Sequence, residues 1–226
     1  METIRLHTND SFEKVFVNGP EVDLHIVQEA GSRVKIHVIN VSGLVPNKAE
    51  GSDLQTVSNK ITVEQVGEGC RTEIYGLAYI KGEEQVTIET HVTHAVEDGT
   101  STQLVKFVLD DRAKGHFVGD LKISPDAQHV EAHQTNRNLL LSDDAQMRTQ
   151  PQLEIYADDV QATHGASTGQ LDESALFYMQ QRGIGKEKAR QMLVGAFMKE
   201  VIETIDDGQK TKDALLSSEP FKSLFF

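Results

Sequence analysis

PQLEIYADDVQATHGASTGQLDESALFYMQQRG, residues 151–183, is the stretch on which the fold turns. Leu153-Glu154-Ile155 alternates apolar and polar side chains, the period of a half-buried strand. The pair Asp158-Asp159 follows, and then His164-Gly165, which predicts a tight turn with an exposed imidazole. Asp172 is a good helix N-cap ahead of Leu176, Phe177, Met179 and Gln180, and Gly183 closes that short helix. Within these residues the chain passes from strands to helices.

Upstream, from about Phe12 to Thr168, short alternating or apolar runs are broken by Gly, Asn, Asp and Pro. Val22–Ile26, Val34–Val38, Ile61–Val63, Val86–Glu89, Leu104–Leu109 and Leu121–Ile123 are strands by alternation and β-branched content. No segment there has a convincing helical period. Glu2–Asn9 suits a strand or a fragment of an upstream element. Gly76, Ile80 and Gln85 recur as Gly119, Ile123 and Gln128, an offset of about 43 residues that suggests two stacked coils of roughly twenty residues each. Spacing alone leaves a jelly roll as a competitor.

Downstream, Lys186–Asp206 predicts a longer helix ended by Gly208. One stripe carries Ala189, Met192, Leu193, Ala196 and Phe197; a second carries Val194, Met198, Val201 and Ile205. Two stripes imply contact on two sides, one with the open end of the β core and the other with the first helix or a partner. The last segment, Leu215–Phe226, ends in a run too apolar to stay solvated, so it is expected to dock on this chain or on a neighbour. The chain thus divides into a β core over 1–170 and a C-terminal helical region over 171–226.

The chain has 226 residues, and 22 basic against 35 acidic side chains leave a net charge of −13. Nucleic acid and anionic membrane surfaces call for clustered positive charge and are disfavoured. With Cys70 as its one cysteine, the chain holds no disulfide framework or thiolate cluster site. No apolar run reaches membrane-spanning length and Met1–Asp10 lacks a signal-peptide layout, so a soluble cytoplasmic protein is expected.

The wording at Pro151–Ile155, Ala157-Asp158-Asp159-Val160, His164-Gly165-Ala166, Phe177-Tyr178 and Arg182-Gly183-Ile184 resembles the SufB/SufD family, and within it the SufD branch. The resemblance covers nearly all of this chain but only the latter part of a full-length member, whose additional N-terminal region is missing here. It implies a mainly β fold: a right-handed parallel β-helix core followed by a small C-terminal α-helical region. It also implies a scaffold subunit for iron–sulfur cluster assembly. Such a subunit pairs with a SufB-like subunit, or with a second copy of itself, and docks a SufC-like ATPase on its C-terminal helices.

In that branch a histidine in the His-Gly-Ala position faces a cysteine of SufB across the interface, which makes His164 the cluster and metal-site candidate. The branch commonly has a cysteine two residues earlier, where this chain has Ala162. No autonomously bound cofactor is then expected, only a cluster held transiently at an interface. The pairing edge falls on Gln152, Glu154 and Tyr156, and the ATPase dock on Val194, Met198, Val201 and Ile205.

Other constellations carry less. Asp158 and Asp159 suit solvated turn chemistry. His91 with His94, and His129 with His133, have the wrong spacing for one ion on a strand and suit structural coil corners. Cys70, with only Arg71 nearby, is expected to be structural. Gly183-Ile184-Gly185-Lys186 lacks the phosphate-loop spacing and suits a helix–helix turn, so no ATPase activity is expected. With no nucleophile elbow, dinucleotide fingerprint or HExxH helix, the chain is not expected to be an enzyme. The alternative is a carbohydrate-active or sugar-binding β-helix protein using Asp110, Asp111 and Asp120.

Overall fold

The computed structural model describes residues 1–18, 21–42, 56–206 and 210–225. Strands of odd and even number sort into two six-stranded sheets. The first holds β1 (Glu2–Leu6), β3 (Val22–Gln28), β5 (Thr56–Gln65), β7 (Gln85–His94), β9 (Lys114–Ile123) and β11 (Gln146–Ile155). The second holds β2 (Ser11–Val17), β4 (Arg33–Val41), β6 (Arg71–Ile80), β8 (Thr100–Leu109), β10 (Val130–Leu140) and β12 (Val160–Gln170). Every pairing is parallel, so the chain crosses from sheet to sheet and returns one rung higher each time. That is a two-sheet β-helix with a helical region after it, and right-handed return is the rule for parallel units.

Alternation puts Val34, Ile36 and Val38 of β4, and Ile61 and Val63 of β5, into the space between the sheets. Farther along, Ile80, Ile88, Phe107 and Phe117 fill the same space. Each coil is longer than the sequence repeat suggests. His91 and Asp120, in register on β7 and β9, are 29 positions apart, and Gln103 and Gln134, on β8 and β10, are 31 apart. The 43-residue offset links Gly76 on β6 with Gly119 on β9, which lie in different sheets and occupy unrelated places. Two coils of about twenty residues are therefore replaced by coils of about thirty, each built from two ten-residue strands and their corners.

One corner repeats through the stack. Gly31, Gly69, Asp98 and His129 all have positive φ. Their N–H groups donate upward to Glu68, Glu97, Gln128 and Asp159 carbonyls at 2.8, 3.4, 3.0 and 2.6 Å. His129 is thus a corner histidine, whereas His91, His94 and His133 lie within strands. Asp158 and Asp159 form the corner between β11 and β12.

Helices α1 (Glu173–Gln181), α2 (Lys186–Ile202), α3 (Lys210–Ser217) and α4 (Phe221–Phe225) follow. Asp172 caps α1 by accepting from the Ser174 and Ala175 N–H groups at 2.8 and 3.2 Å, and Gly183 ends it with φ 84°. The long helix stops at Ile202, short of Asp206, and Gly208 lies outside the described residues. It packs on the outer face of the second sheet rather than on the open end of the core. Its residues Val194, Met198 and Val201 meet Tyr75, Leu77, Leu104 and Val108 in one cluster. Phe221 and Leu224 dock into that same cluster, so these two tail residues are buried against their own chain. A Cβ on Gly195 would lie 2.7 Å from the Leu224 carbonyl oxygen, which makes this glycine the contact point between α2 and α4.

Candidate functional site at the open end of the coil stack

The last coil, β11 and β12, ends both sheets, so one edge of each strand has no neighbour among the described residues. His164 lies in the middle of β12, not in a turn: Gly165 and Gly169 continue the extended strand. The difference arises because the register with β10 runs unbroken from Val130↔Val160 to Leu140↔Gln170 and leaves no residue over for a turn. Its imidazole is exposed.

Parallel register also fixes which way that side chain goes. His164 pairs with Gln134, whose side chain is buried between the sheets, so His164 belongs to the inward-facing row. Ala162 is in the same row and packs against the core, with Asn138 and Thr168 farther along, joined at 3.1 Å. On the facing strand, Pro151 and Leu153 pair with Gly119 and Leu121 and complete the other wall. His164 is exposed only because no further rung covers it. Sequence reading missed this row, since it becomes visible only once β12 is aligned with β10.

Gln152 and Glu154 are exposed, but they alternate to the outer face of β11, in a shallow groove with His91, Asp120 and Lys122. Tyr156 is 58% exposed just beyond the strand, its ring 6.0 Å from the Lys122 ammonium. These three therefore flank the open edge without sharing the inward face of His164.

The assignment of Val194, Met198, Val201 and Ile205 as a docking face is corrected by their burial: they are 2, 0, 0 and 2% exposed. Of the two stripes on α2, theirs is the one turned to the sheet, because the outer face of β6 and β8 is itself apolar and needs cover. What stays open on the helical region is Phe177 and Tyr178 on α1, 63 and 59% exposed, and Met192 on α2, 42% exposed. Arg182 braces Tyr178 with a 2.8 Å hydrogen bond to its hydroxyl.

The helices are firmly fastened to the second sheet. The Lys106 ammonium, buried on the outer face of β8, donates to the Phe197 carbonyl at 2.7 Å and to Glu200 at 2.5 Å. It also sits 4.5 Å from the centroid of the Phe197 ring. Arg190 reaches Asp110 at 3.3 Å and the Leu141 carbonyl at 2.9 Å. His37 lies within 2.9 Å of the Thr204 hydroxyl and stacks on Tyr75, whose hydroxyl is pushed up to about 12 by burial and by the nearby Glu73 carboxylate.

As a site for an iron–sulfur cluster the end surface fits only in part. A cluster needs several soft donors, and this chain brings one imidazole. Cys70 is 1% exposed next to the start of β6, its thiol 3.1 Å from the Glu29 and Gly67 carbonyls, three rungs from β12. Remaining donors would have to come from another chain. The acidic residues of the sugar-binding alternative are not gathered: Asp110 is tied to Arg190, whereas Asp120 on the outer face of β9 is 2.7 Å from His91.

The family model for the SUF system FeS cluster assembly SufBD core domain matches residues 22–197. The chain belongs to the SufBD core family. It is 37% identical over 145 residues to the iron-sulfur cluster assembly protein SufD of Escherichia coli K12, a match covering 64% of this chain and 34% of that protein. It is 36% identical over 149 residues to the SufBD family protein slr0076 of Synechocystis, covering 65% and 32% of the two chains. The chloroplastic protein ABCI7 of Arabidopsis thaliana is 35% identical over 146 residues, covering 64% and 31%. The matched region of this SufBD core chain thus corresponds to about a third of each relative's length. Among the described residues, no helix is long and apolar enough to cross a membrane.

Proposed function

We propose that this chain is a non-catalytic scaffold subunit of a SUF-type iron–sulfur cluster assembly complex, working in the cytoplasm. The observation that carries the reading is the placement of His164: exposed, in the inward row of the last coil, on a strand edge that has no neighbour among the described residues. A coil end of this kind wants a partner, because unpaired backbone groups and a cross-section of the core are open together. A SufB-like subunit, or a second copy of this chain, would pair there and bring the thiolates. The cluster is cargo under assembly, and the imidazole of His164 contributes one neutral nitrogen donor to it.

A SufC-like ATPase would dock on Phe177, Tyr178 and Met192, the apolar side chains that the helical region leaves open. Because Lys106 and the buried stripe of α2 tie the helices to the second sheet, a pull on them would pass to the sheet that ends in β12. The interface then has two arrangements, and nucleotide on the partner biases them.

Complementation in a strain lacking its SUF scaffold tests the role of His164. His164→Ala is expected to abolish cluster assembly while leaving the circular dichroism spectrum and melting temperature unchanged; full complementation would remove the residue from the reaction. Phe177→Asp together with Met192→Asp should abolish co-purification of the ATPase without unfolding the chain, and an intact complex would move the dock elsewhere.

A further inference from the structure

We propose that Gln134 is a positioning residue for His164: its side-chain carbonyl accepts from one imidazole N–H and so fixes the tautomer whose other nitrogen faces out of the coil end. The use of that tautomer presupposes the assembly role of His164 given above. Gln134 is 1% exposed, and its Oε1 has no hydrogen-bond partner. Its Nε2 donates to Gln103 Oε1 on β8 at 3.4 Å. The oxygen and nitrogen of a planar amide diverge from one carbon, so with the nitrogen engaged towards β8 the oxygen remains for a donor on the other neighbouring strand, β12. The residue in register there is His164.

The neighbouring register pairs behave in the same way. On the outer face His133 Nδ1 lies 2.8 Å from Thr163 Oγ1. On the inner face Asn138 donates to Thr168 at 3.1 Å, four residues beyond the Gln134–His164 pair. Side chains of β10 thus reach those of β12 on both faces. Gly119 holds the amide from the opposite wall, since a Cβ there would lie 2.6 Å from Gln134 Nε2. A buried carbonyl without a donor is costly, and the exposed imidazole of His164 can turn inward to supply one. Once one ring nitrogen is bound as N–H, the other keeps its lone pair for a ligand, the arrangement second-shell acceptors impose on metal-binding histidines.

The test is nitrogen NMR of the His164 ring in the full chain, for wild type, Gln134→Met and Gln134→Glu. Wild type should favour one neutral tautomer about fivefold, the ratio that one net hydrogen bond supports. Gln134→Met should lose that preference, and Gln134→Glu, which keeps an acceptor, should retain it. Equal tautomers in the wild type, or His164 shifts unchanged by Gln134→Met, would overturn the assignment; the wild-type spectrum decides even where a variant fails to fold. Normal cluster assembly by His164→Ala would instead overturn the assembly role, and the ring spectra would still decide what Gln134 does.

Discussion

The ammonium of Lys106, on the outer face of β8, meets the carboxylate of Glu200, on α2, at 2.5 Å, with Arg137 3.3 Å from the same oxygen. The hydrogen bond from Lys106 holds the Glu200 carboxyl below its ordinary range. A carboxylate so depressed lends stability above its unfolded value of about 4.5, and that stability is lost as pH falls through the folded value. Glu200→Gln should therefore lower stability at neutral pH by roughly 1–2 kcal/mol, discounted for the half-exposed carboxylate. The gap should narrow as pH falls below 4.5, measured by urea denaturation across pH.

Met198 is fully buried between α2 and the second sheet. Met198→Ala should cost about 2–5 kcal/mol by leaving a cavity, and Met198→Asp should detach or unfold the helical region. Thermal melts and limited proteolysis would register both. Met192→Ala, on the exposed side of the same helix, should leave the melting temperature nearly unchanged.

His94 sits inside the core with its Nε2 2.9 Å from Ser101, and burial pushes it down from 6.5 to about 4. The unfolded chain then takes up this proton at a higher pH than the folded one. Stability contributed by the neutral ring is complete above pH 6.5 and falls as pH drops towards 4. His94→Gln should flatten the stability profile over that window by roughly 3 kcal/mol.

Gly67 lies against the backbone of the neighbouring corner: a Cβ there would be 2.1 Å from the Ala30 nitrogen. Backbone cannot step aside as a side chain does, so Gly67→Ala should cost about 3 kcal/mol, the upper end for overpacking. Replacing Gly165, whose Cβ position is open, should cost far less. Chemical denaturation of the two variants gives the comparison.

Strands with one polar face were legible in the sequence. Ile61–Val63 and Leu121–Ile123 alternate because one side of each packs inward and the other is less covered, while in Val34–Val38 the outer face is polar but His37 on it is buried. β6 was not, since Tyr75 to Ile80 are buried on both faces once the helices cover the second sheet, and the alternation disappears. β10 was hidden for the opposite reason, with Gln134, Asn136 and Asn138 as its inward residues. His164 could be named from its local wording, but its inward direction depends on register with β10. On α2, two apolar stripes lie side by side, and only the apolar outer face of β6 and β8 decides which one is buried.

Because each coil repeats the backbone pairing of the one below, the stack has no built-in terminus: β12 stops as a growth front, ready to template one layer more. Inserting a whole coil of about thirty residues lower in the stack would lift that front by about 4.8 Å and carry the imidazole with it, its surroundings unaltered. Body length and terminal chemistry are thus separable, and lineages can vary one while preserving the other.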